Sequence, residues 1–268
     1  VDQYMKGHHH NLKEKQIILI KALAEKESIE FQLNTLFFIN GDSKIPEFAG
    51  IQSAIVGSIL TLLVTMVVAF PIGVMTAIYL EEFAADNRFS RFVEVNINNL
   101  AAIPSILFGL LGLSVFINLF GLPRSSPLVG GITLALMTLP IIIVSARAAL
   151  RSVPESIRQA GYGLGLHKQD VVKDHVIPIA MPGILTGTII GLAQAMGETA
   201  PLIIIGMIAF IPDSPTSIME AATVLPAQGM PERAYVEKTA AGILVILSIL
   251  ISLNASAIYL RKKYEVKW

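Results

Sequence analysis

Five long stretches of this chain are almost free of charged side chains, and this feature constrains the fold more than any other. The chain holds 20 Lys and Arg and 20 Asp and Glu, yet only one of them, Glu198, lies within these stretches. A helix needs about 20 apolar residues to cross the hydrocarbon core of a bilayer, and every stretch reaches that length. The sequence therefore predicts an all-α membrane protein with five transmembrane helices in this chain, over 53–80, 97–119, 127–146, 179–211 and 239–260.

The distribution of Lys and Arg between the connecting segments predicts the orientation of the chain, since these residues accumulate on the cytoplasmic side. The segments 81–96, 147–178 and 261–268 are rich in them, whereas 120–126 and 212–238 together carry only three. We therefore expect 147–178 to be a cytoplasmic loop and 261–268 a cytoplasmic tail, with 53–260 forming the transmembrane domain.

Residues 1–52 form a polar region that this orientation places outside the membrane. Within it, Gln16–Ala24 and Ile29–Asn40 are short apolar runs that could be strands or one helix each. Because the first stretch begins outside, we expect an additional N-terminal helix that is missing from this sequence. The neighbouring His8, His9 and His10 point in different directions and favour a solvated loop over a metal site, so we predict no metal site. The chain has no cysteine, which excludes disulfides.

The loop 147–178 contains a short amphipathic pattern outside the membrane. Ser152 and Pro154 are residue types that begin helices. Ile157, Ala160, Gly161 and Leu164 follow at helical spacing and form a small apolar face, which suits docking into a groove on a partner protein. We expect a second short helix at about 168–176, ending before Pro178.

The same loop resembles the EAA loop of ABC importer permeases. Gln159-Ala160-Gly161, then Gly165, then His175-x-Ile177-Pro178 matches the spacing of the family pattern E-A-A-x-x-x-G, nine residues, I-x-L-P. Gln159 stands for the Glu, Gly161 for the second Ala and His175 for the Ile. The resemblance implies that this loop forms the coupling helix that binds an ATPase subunit, through the docking residues Ile157, Gln159, Ala160, Gly161, Leu164, Gly165 and Pro178.

Other stretches resemble the phosphate importer permeases of the PstA and PstC type. They are Ala54–Ser58, Pro71–Gly73, Ala77–Glu82, Ile103–Ile106 with Phe108-Gly109, and Leu139-Pro140. Met196-Gly197-Glu198-Thr199-Ala200-Pro201 resembles the PstA member in particular. The resemblance covers about 50–265 and implies a type I ABC importer permease bundle with six helices per subunit. Family members often have a longer loop around Gln228-Gly229.

The resemblance implies a set of partners and no chemistry within this chain. The partners are a homologous permease subunit of the PstC type, two ATPase subunits of the PstB type, an extracytoplasmic phosphate-binding protein of the PstS type, and the lipid bilayer of a bacterial inner membrane. No nucleic acid is expected. The chain has no G-x-x-x-x-G-K-[ST] pattern, so ATP and Mg²⁺ are expected on the ATPase and no cofactor is expected here.

Glu198 is a candidate for the translocation path because an ionisable side chain within a membrane span is usually functional. The family usually carries an Arg four residues earlier, where this chain has Gln194. The missing positive charge would come from a partner subunit or from Arg147, or the substrate is not phosphate. Glu198, Gln194, Thr199 and Arg147 are therefore the predicted path residues, with Glu198 as the partner of a basic group.

Three alternatives remain at this point. A permease for sulfate or molybdate is kept open by Gln194. A membrane-embedded enzyme would need clustered catalytic residues in or beside the spans, and Glu198 alone lies inside them. A secondary transporter usually shows a relay of ionisable groups within the membrane, which this sequence lacks.

Overall fold

A computed structural model describes residues 17–18, 21–22, 35–43, 49–208, 211–227 and 236–264 of the chain. The chain divides into two units, Val1–Thr35 and Leu36–Trp268. Few residues of the first unit are described, so the fold is that of the second. The apolar runs Gln16–Ala24 and Ile29–Asn40 are described only in part. The three adjacent histidines and Gln228-Gly229 lie outside the described residues.

The described part of the second unit consists of helices and their connections. In chain order we label them α1 Leu36–Ile39, α2 Gln52–Ile78, α3 Arg88–Ala101, α4 Ser105–Leu111, α5 Pro127–Arg151, α6 Glu155–Gly163, α7 Lys168–Val171, α8 Ile177–Gly197, α9 Ala200–Ile205 and α10 Val236–Tyr264. Three π-helical segments continue α2, α4 and α7, namely Tyr79–Phe83, Gly112–Leu119 and Val172–Val176, and a 3₁₀ turn covers Leu225–Ala227.

Among the described residues, four helical stretches are long and apolar enough to cross a membrane. They are Gln52–Phe83, Pro127–Arg151, Lys168–Gly197 and Thr239–Tyr259. A fifth crossing exists only if the bent pair of Arg88–Ala101 and Ser105–Leu119 counts as one span, since its two halves meet at 102°. The predicted all-α membrane fold is confirmed, and three of the five predicted spans are single helices.

The prediction that 97–119 is one continuous helix is wrong, because the chain turns sharply between Ala101 and Ser105. Pro104 has no N–H to donate to the preceding turn, and it disfavours a helical conformation at Ile103. The new helix begins directly after Pro104. The first half, α3, has no buried residue, and Phe89 and Phe92 on it are 68% and 65% exposed, so this helix is attached along one side only.

The predicted span over 179–211 is also two elements rather than one helix. Helix α8 ends at Gly197, Glu198 adopts an extended conformation, and the short α9 follows. Pro201 accounts for the position of the break, since its ring would clash with the carbonyl of Gly197 if the helix continued. With a rise of 1.5 Å per residue, α8 alone has about the 30 Å length of the hydrocarbon core.

The centre of the unit is the packing of α2 and α8 against α5. The side chains at the α2–α5 contact are small, and a Cβ at Gly131 would lie 2.5 Å from Val64. The hydroxyl of Thr65 donates a hydrogen bond across this contact to the carbonyl of Gly131, at 3.1 Å. Small residues of this kind let membrane helices approach closely and form hydrogen bonds between their backbones and side chains.

The end of the bundle opposite the 147–178 loop is closed by connecting segments. Ser125 donates its hydroxyl to the carbonyl of Gly206 at 2.8 Å, and the N–H of Leu128 donates to the carbonyl of Ile218 at 2.9 Å. The N–H of Leu225 donates to the hydroxyl of Ser58 on α2, also at 2.9 Å. These bonds hold the segment 211–227 against the ends of α2 and α5.

The orientation can be tested with single cysteines, because the chain has none of its own. Lys262, near the end of α10, and Asp213, in the segment at the opposite end, are both exposed. In intact cells we expect Lys262→Cys to resist a membrane-impermeant thiol reagent and Asp213→Cys to react, with both labelled after the membrane is opened. The reverse pattern would place 147–178 outside.

Candidate coupling and translocation site

The loop 147–178 contains one well-formed short helix, α6, at the position predicted for the coupling helix. Pro154 precedes its first residue, and Glu155 lies in its first turn, where a negative charge is favourable to the helix dipole. Ser152 does not begin this helix as predicted. Its hydroxyl donates to the carbonyl of Ala149, so it closes the preceding α5 instead.

The predicted apolar face of α6 divides into two sides. Gly161 is buried against α7, where an added Cβ would lie 2.7 Å from Val171, and Ile157 packs beside it against the core. Gln159, Ala160 and Leu164 are exposed, and Leu164 is 81% exposed. Gly161 and Ile157 therefore hold the helix to its own chain, and the outward residues form a surface that the described part of the chain leaves uncovered.

Gly165 ends α6 through a Schellman motif. Its φ of 80° lies in the left-handed region, which glycine adopts without steric cost. The N–H of Gly165 donates to the carbonyl of Tyr162 at 2.9 Å, and the N–H of Leu166 donates to the carbonyl of Gly161 at 3.2 Å. Because no atom of the described residues lies within 4 Å of a Cβ added at Gly165, the backbone conformation is the reason that the described part of the chain needs glycine there.

The prediction of a separate short helix that ends before Pro178 is wrong. One helical stretch runs from Lys168 to Gly197. The turn Val172–Val176 widens to a π-helix, with the N–H of Ile177 donating to the carbonyl of Val172. This widening accommodates Pro178, which lacks the N–H of a normal turn. Pro178 is exposed, at the point where the loop becomes the long helix.

Six charged residues meet where the loop 147–178 joins the helical bundle. We call this group the loop charge cluster; it consists of Glu81, Glu82, Glu94, Arg147, Arg151 and Arg158. Within it, the guanidinium of Arg147 contacts Glu81 at 3.1 Å and Glu94 at 2.6 Å. Arg151 contacts the other oxygen of Glu81 at 2.7 Å. The cluster thus connects the end of α2 to α3, α5 and α6.

The most enclosed pair in this cluster joins Glu82 to Arg158. Their side chains are 5% and 12% exposed, and Arg158 Nη2 lies 2.6 Å from Glu82 Oε1. Arg158 also donates to the carbonyls of Val153 and Leu150, at 2.9 and 3.1 Å. The hydrogen bond that Arg158 donates to Glu82 is the main reason that the pKa of Arg158 lies above its ordinary value.

The candidate path residues lie in two separate places. Gln194, Glu198 and Thr199 are together at the end of α8, with Gln194 exposed and the other two half-buried. None of the ion pairs between described residues involves Glu198.

Arg147 lies elsewhere, in the loop charge cluster. Gly183 and Gly187 of α8 pack against Ala149 and Ser145 of α5, which places Arg147 roughly 20 Å along the axis from Glu198. The structure therefore does not bring these two charges together.

Sequence reasoning missed the ion pairs that involve Glu81, Glu82, Glu94 and Arg158. A signal was available, since an acidic pair ends the first apolar stretch on the same predicted side of the membrane as the basic loop 147–178. Which residues pair could not be predicted from the sequence, because the partners of Glu81 and Glu82 lie more than 60 residues away along the chain.

The fold and the loop define a transport subunit with the type I ABC importer permease architecture. Residues 69–266 match the family model described as "Binding-protein-dependent transport system inner membrane component". The chain belongs to this family and is a multi-pass protein of the inner membrane.

Several curated proteins are similar to the chain. "Phosphate transport system permease protein PstA 1" of Mycobacterium tuberculosis (strain H37Rv) is 37% identical over 163 residues, which are 60% of this chain and 52% of that protein. "Probable ABC transporter permease protein YqgI" of Bacillus subtilis is 33% identical over 173 residues, 64% of this chain and 58% of that protein. The chain thus spans between half and three fifths of the length of these relatives.

Solved structures of low sequence identity share the fold. A structure titled "Inward facing conformations of the MetNI methionine ABC transporter: CY5 native crystal form" superposes with a TM-score of 0.57 at 19% identity, covering 79% of this chain and 94% of that one. A structure titled "Crystal structure of an amino acid ABC transporter with histidines" has a TM-score of 0.53 at 19% identity, covering 79% and 92%.

Proposed function

We propose that this chain is the transmembrane permease subunit of an ATP-driven phosphate importer. It forms part of the translocation path and connects that path to ATPase subunits through the coupling helix α6. It catalyses no reaction itself, and ATP and Mg²⁺ are bound by the ATPase partner. The other partners are a homologous permease subunit of the PstC type, an ATPase dimer of the PstB type and an extracytoplasmic phosphate-binding protein of the PstS type.

The similarity to proteins named PstA is the main observation that supports phosphate as the substrate. Three such relatives from mycobacteria are 36% or 37% identical over about three fifths of this chain. The stretch Gly197-Glu198-Thr199-Ala200-Pro201 supports the same assignment, and the structure gives it a definite place. It forms the break between α8 and α9, where the chain leaves the helical conformation.

The coupling role is supported by the side of α6 that faces away from the bundle. Leu164 is the most exposed of the large apolar residues in the described part of the chain, and Ala160 and Gln159 are exposed beside it. An apolar side chain in a cytoplasmic loop gains free energy by entering a groove on a partner. The packing of the partly buried Ile157 and the buried Gly161 fixes the helix so that this surface points outward.

The path role of Glu198 is supported by its lack of a basic partner among the ion pairs of described residues. A carboxylate that follows the C-terminus of a helix meets the negative end of the helix dipole, which is unfavourable. A cation from another subunit would compensate both effects. Arg147 is a poor source of that cation because Glu81 and Glu94 already neutralise it.

A permease for sulfate or molybdate is the alternative, and Gln194 is the observation that favours it. Gln194 is exposed one helical turn before Glu198, where the phosphate-type pattern places an Arg. A neutral donor can form hydrogen bonds to an oxyanion but does not balance its charge. Competition between phosphate and sulfate or molybdate for uptake distinguishes the proposed function from this alternative.

Uptake of radiolabelled phosphate by vesicles containing the assembled complex tests the proposal. We expect uptake that requires both ATP and the binding protein. An excess of unlabelled phosphate should abolish it, and the same excess of sulfate or molybdate should leave it unchanged. Inhibition by sulfate or molybdate, or ATP-dependent uptake of labelled sulfate or molybdate with no phosphate uptake, would contradict phosphate as the substrate and support the alternative.

A further inference from the structure

An enclosed ion pair joins the first long helix to the coupling helix. Glu82 lies in the π-helical end of α2, and both of its carboxylate oxygens accept hydrogen bonds from Arg158 of α6. Arg158 at the same time donates to two carbonyls near the end of α5. One guanidinium therefore connects three elements of the chain.

The π-helical turn explains how two adjacent carboxylates serve different partners. In Tyr79–Phe83 the N–H of Ala84 donates to the carbonyl of Tyr79, five residues back, which widens the turn. Glu81 contacts Arg147 and Arg151, whereas Glu82 contacts Arg158. Widened turns of this kind occur often at functional positions.

The two attachments of the coupling helix are different in kind. On one side Gly161 packs against Val171 of α7, so α6 is held to the helix that follows it in the chain. On the other side Arg158 holds it to α2, which is more than 70 residues earlier in the sequence. Among the described residues, Glu82 is the enclosed counter-charge of this guanidinium, since the other paired carboxylate, Glu155, is 3.5 Å away and 65% exposed.

We infer that Glu82 is a positioning residue for energy coupling: through Arg158 it fixes the coupling helix to the end of the first transmembrane helix, so that both move together when the ATPase subunits close. This inference rests on the proposed function, in which α6 binds the ATPase. Glu82 itself touches neither substrate nor ATPase. Its role is to transmit the displacement of α6 to α2.

A distance measurement between two spin labels tests this inference without phosphate. Ala85 and Ser156 are exposed residues next to Glu82 and Arg158, and the chain has no other cysteine. The labels are placed by Ala85→Cys and Ser156→Cys in the assembled complex, and distances are measured with and without trapped nucleotide. We expect one narrow distribution that nucleotide leaves unchanged. With Glu82→Gln added, it should broaden and shift when nucleotide is trapped.

A matched control and a conservative variant separate positioning from folding. Glu155→Gln removes the exposed carboxylate beside the same guanidinium and should behave like the unaltered chain. Glu82→Asp keeps the charge on a shorter side chain and should give an intermediate broadening in a complex that assembles. In vesicles, Glu82→Gln should raise the ATP hydrolysed per phosphate imported by at least about fivefold.

The inference is overturned if the label distance already changes with Glu82 present, or if Glu82→Gln and Glu82→Asp both match Glu155→Gln. If Glu82→Gln does not assemble, Glu82→Asp decides between the same two results. A complex that shows the expected label distances but imports no phosphate counts against the proposed substrate and leaves the coupling result intact.

Discussion

Replacing Gly165 by Val is expected to abolish most of the transport activity while leaving the chain in the membrane. Gly165 has a φ of 80°, and a left-handed conformation costs an L-residue about 1–2 kcal/mol, with more for a β-branched side chain. The end of α6 would unwind or shift to relieve this strain, and Leu164 would leave its outward position. Each 1.4 kcal/mol corresponds to about a tenfold change in an equilibrium constant, so we expect ATP-dependent uptake to fall about tenfold or more.

Gly165→Asn is the matched control for this prediction. Asn tolerates the left-handed conformation, and the space around a Cβ at this position is empty in the chain itself. We therefore expect Gly165→Asn to retain at least about half of the uptake. If Asn abolishes uptake as completely as Val, the ATPase backbone approaches Gly165 closely and the conformational reason is wrong. If Val transports normally, the coupling role of this turn is wrong.

Replacing Glu198 by Gln is expected to lower uptake about tenfold or more in a complex that still assembles. The reason is electrostatic. One cation from the paired permease subunit would pair with Glu198 and with the substrate anion in turn. Glu198→Asp keeps the charge and should retain more activity. The measurement is ATP-dependent uptake, with co-purification of the partners as the check on assembly.

Arg147→Ala is expected to reduce uptake only partly, because Arg147 is neutralised by Glu81 and Glu94, roughly 20 Å from Glu198. Its removal leaves Glu81 paired with Arg151. If Arg147→Ala abolishes uptake in a complex that assembles and hydrolyses ATP, the path cation lies in this chain. If neither Glu198→Gln nor Arg147→Ala affects uptake, the proposed path site is wrong.

The existence of the membrane helices could be predicted from sequence, whereas the breaks in them could not. Runs without charge leave few alternatives to a spanning helix, and Gln52–Phe83, Pro127–Arg151 and Thr239–Tyr259 are helices as predicted. The positions of the prolines alone do not predict where the helices break. Pro71, Pro140 and Pro182 lie within continuous helices, yet the chain breaks at Pro104 and just before Pro201. The difference depends on packing against neighbours, which supply or withhold partners for the freed carbonyls.

The local part of the candidate site was predictable, and the long-range part was not. The coupling helix and the turn at Gly165 follow from residues close together in the chain. The inward position of Gly161 depends on Val171 of another helix, and the loop charge cluster depends on pairs such as Glu82 and Arg158. Helical spacing placed Ile157, Ala160, Gly161 and Leu164 on one face, but tertiary packing decides which side of that face is covered.

Co-purification of an ATPase subunit with this chain tests most directly whether the chain is an importer permease. We expect the chain, extracted gently from the membrane, to retain an ATPase subunit in a fixed ratio. Leu164→Asp should release that subunit because a charge replaces the exposed apolar side chain, whereas Lys262→Ala, at the end of α10, should retain it. Purification without any ATPase, or equal retention by Leu164→Asp, would contradict the role assigned to the coupling helix.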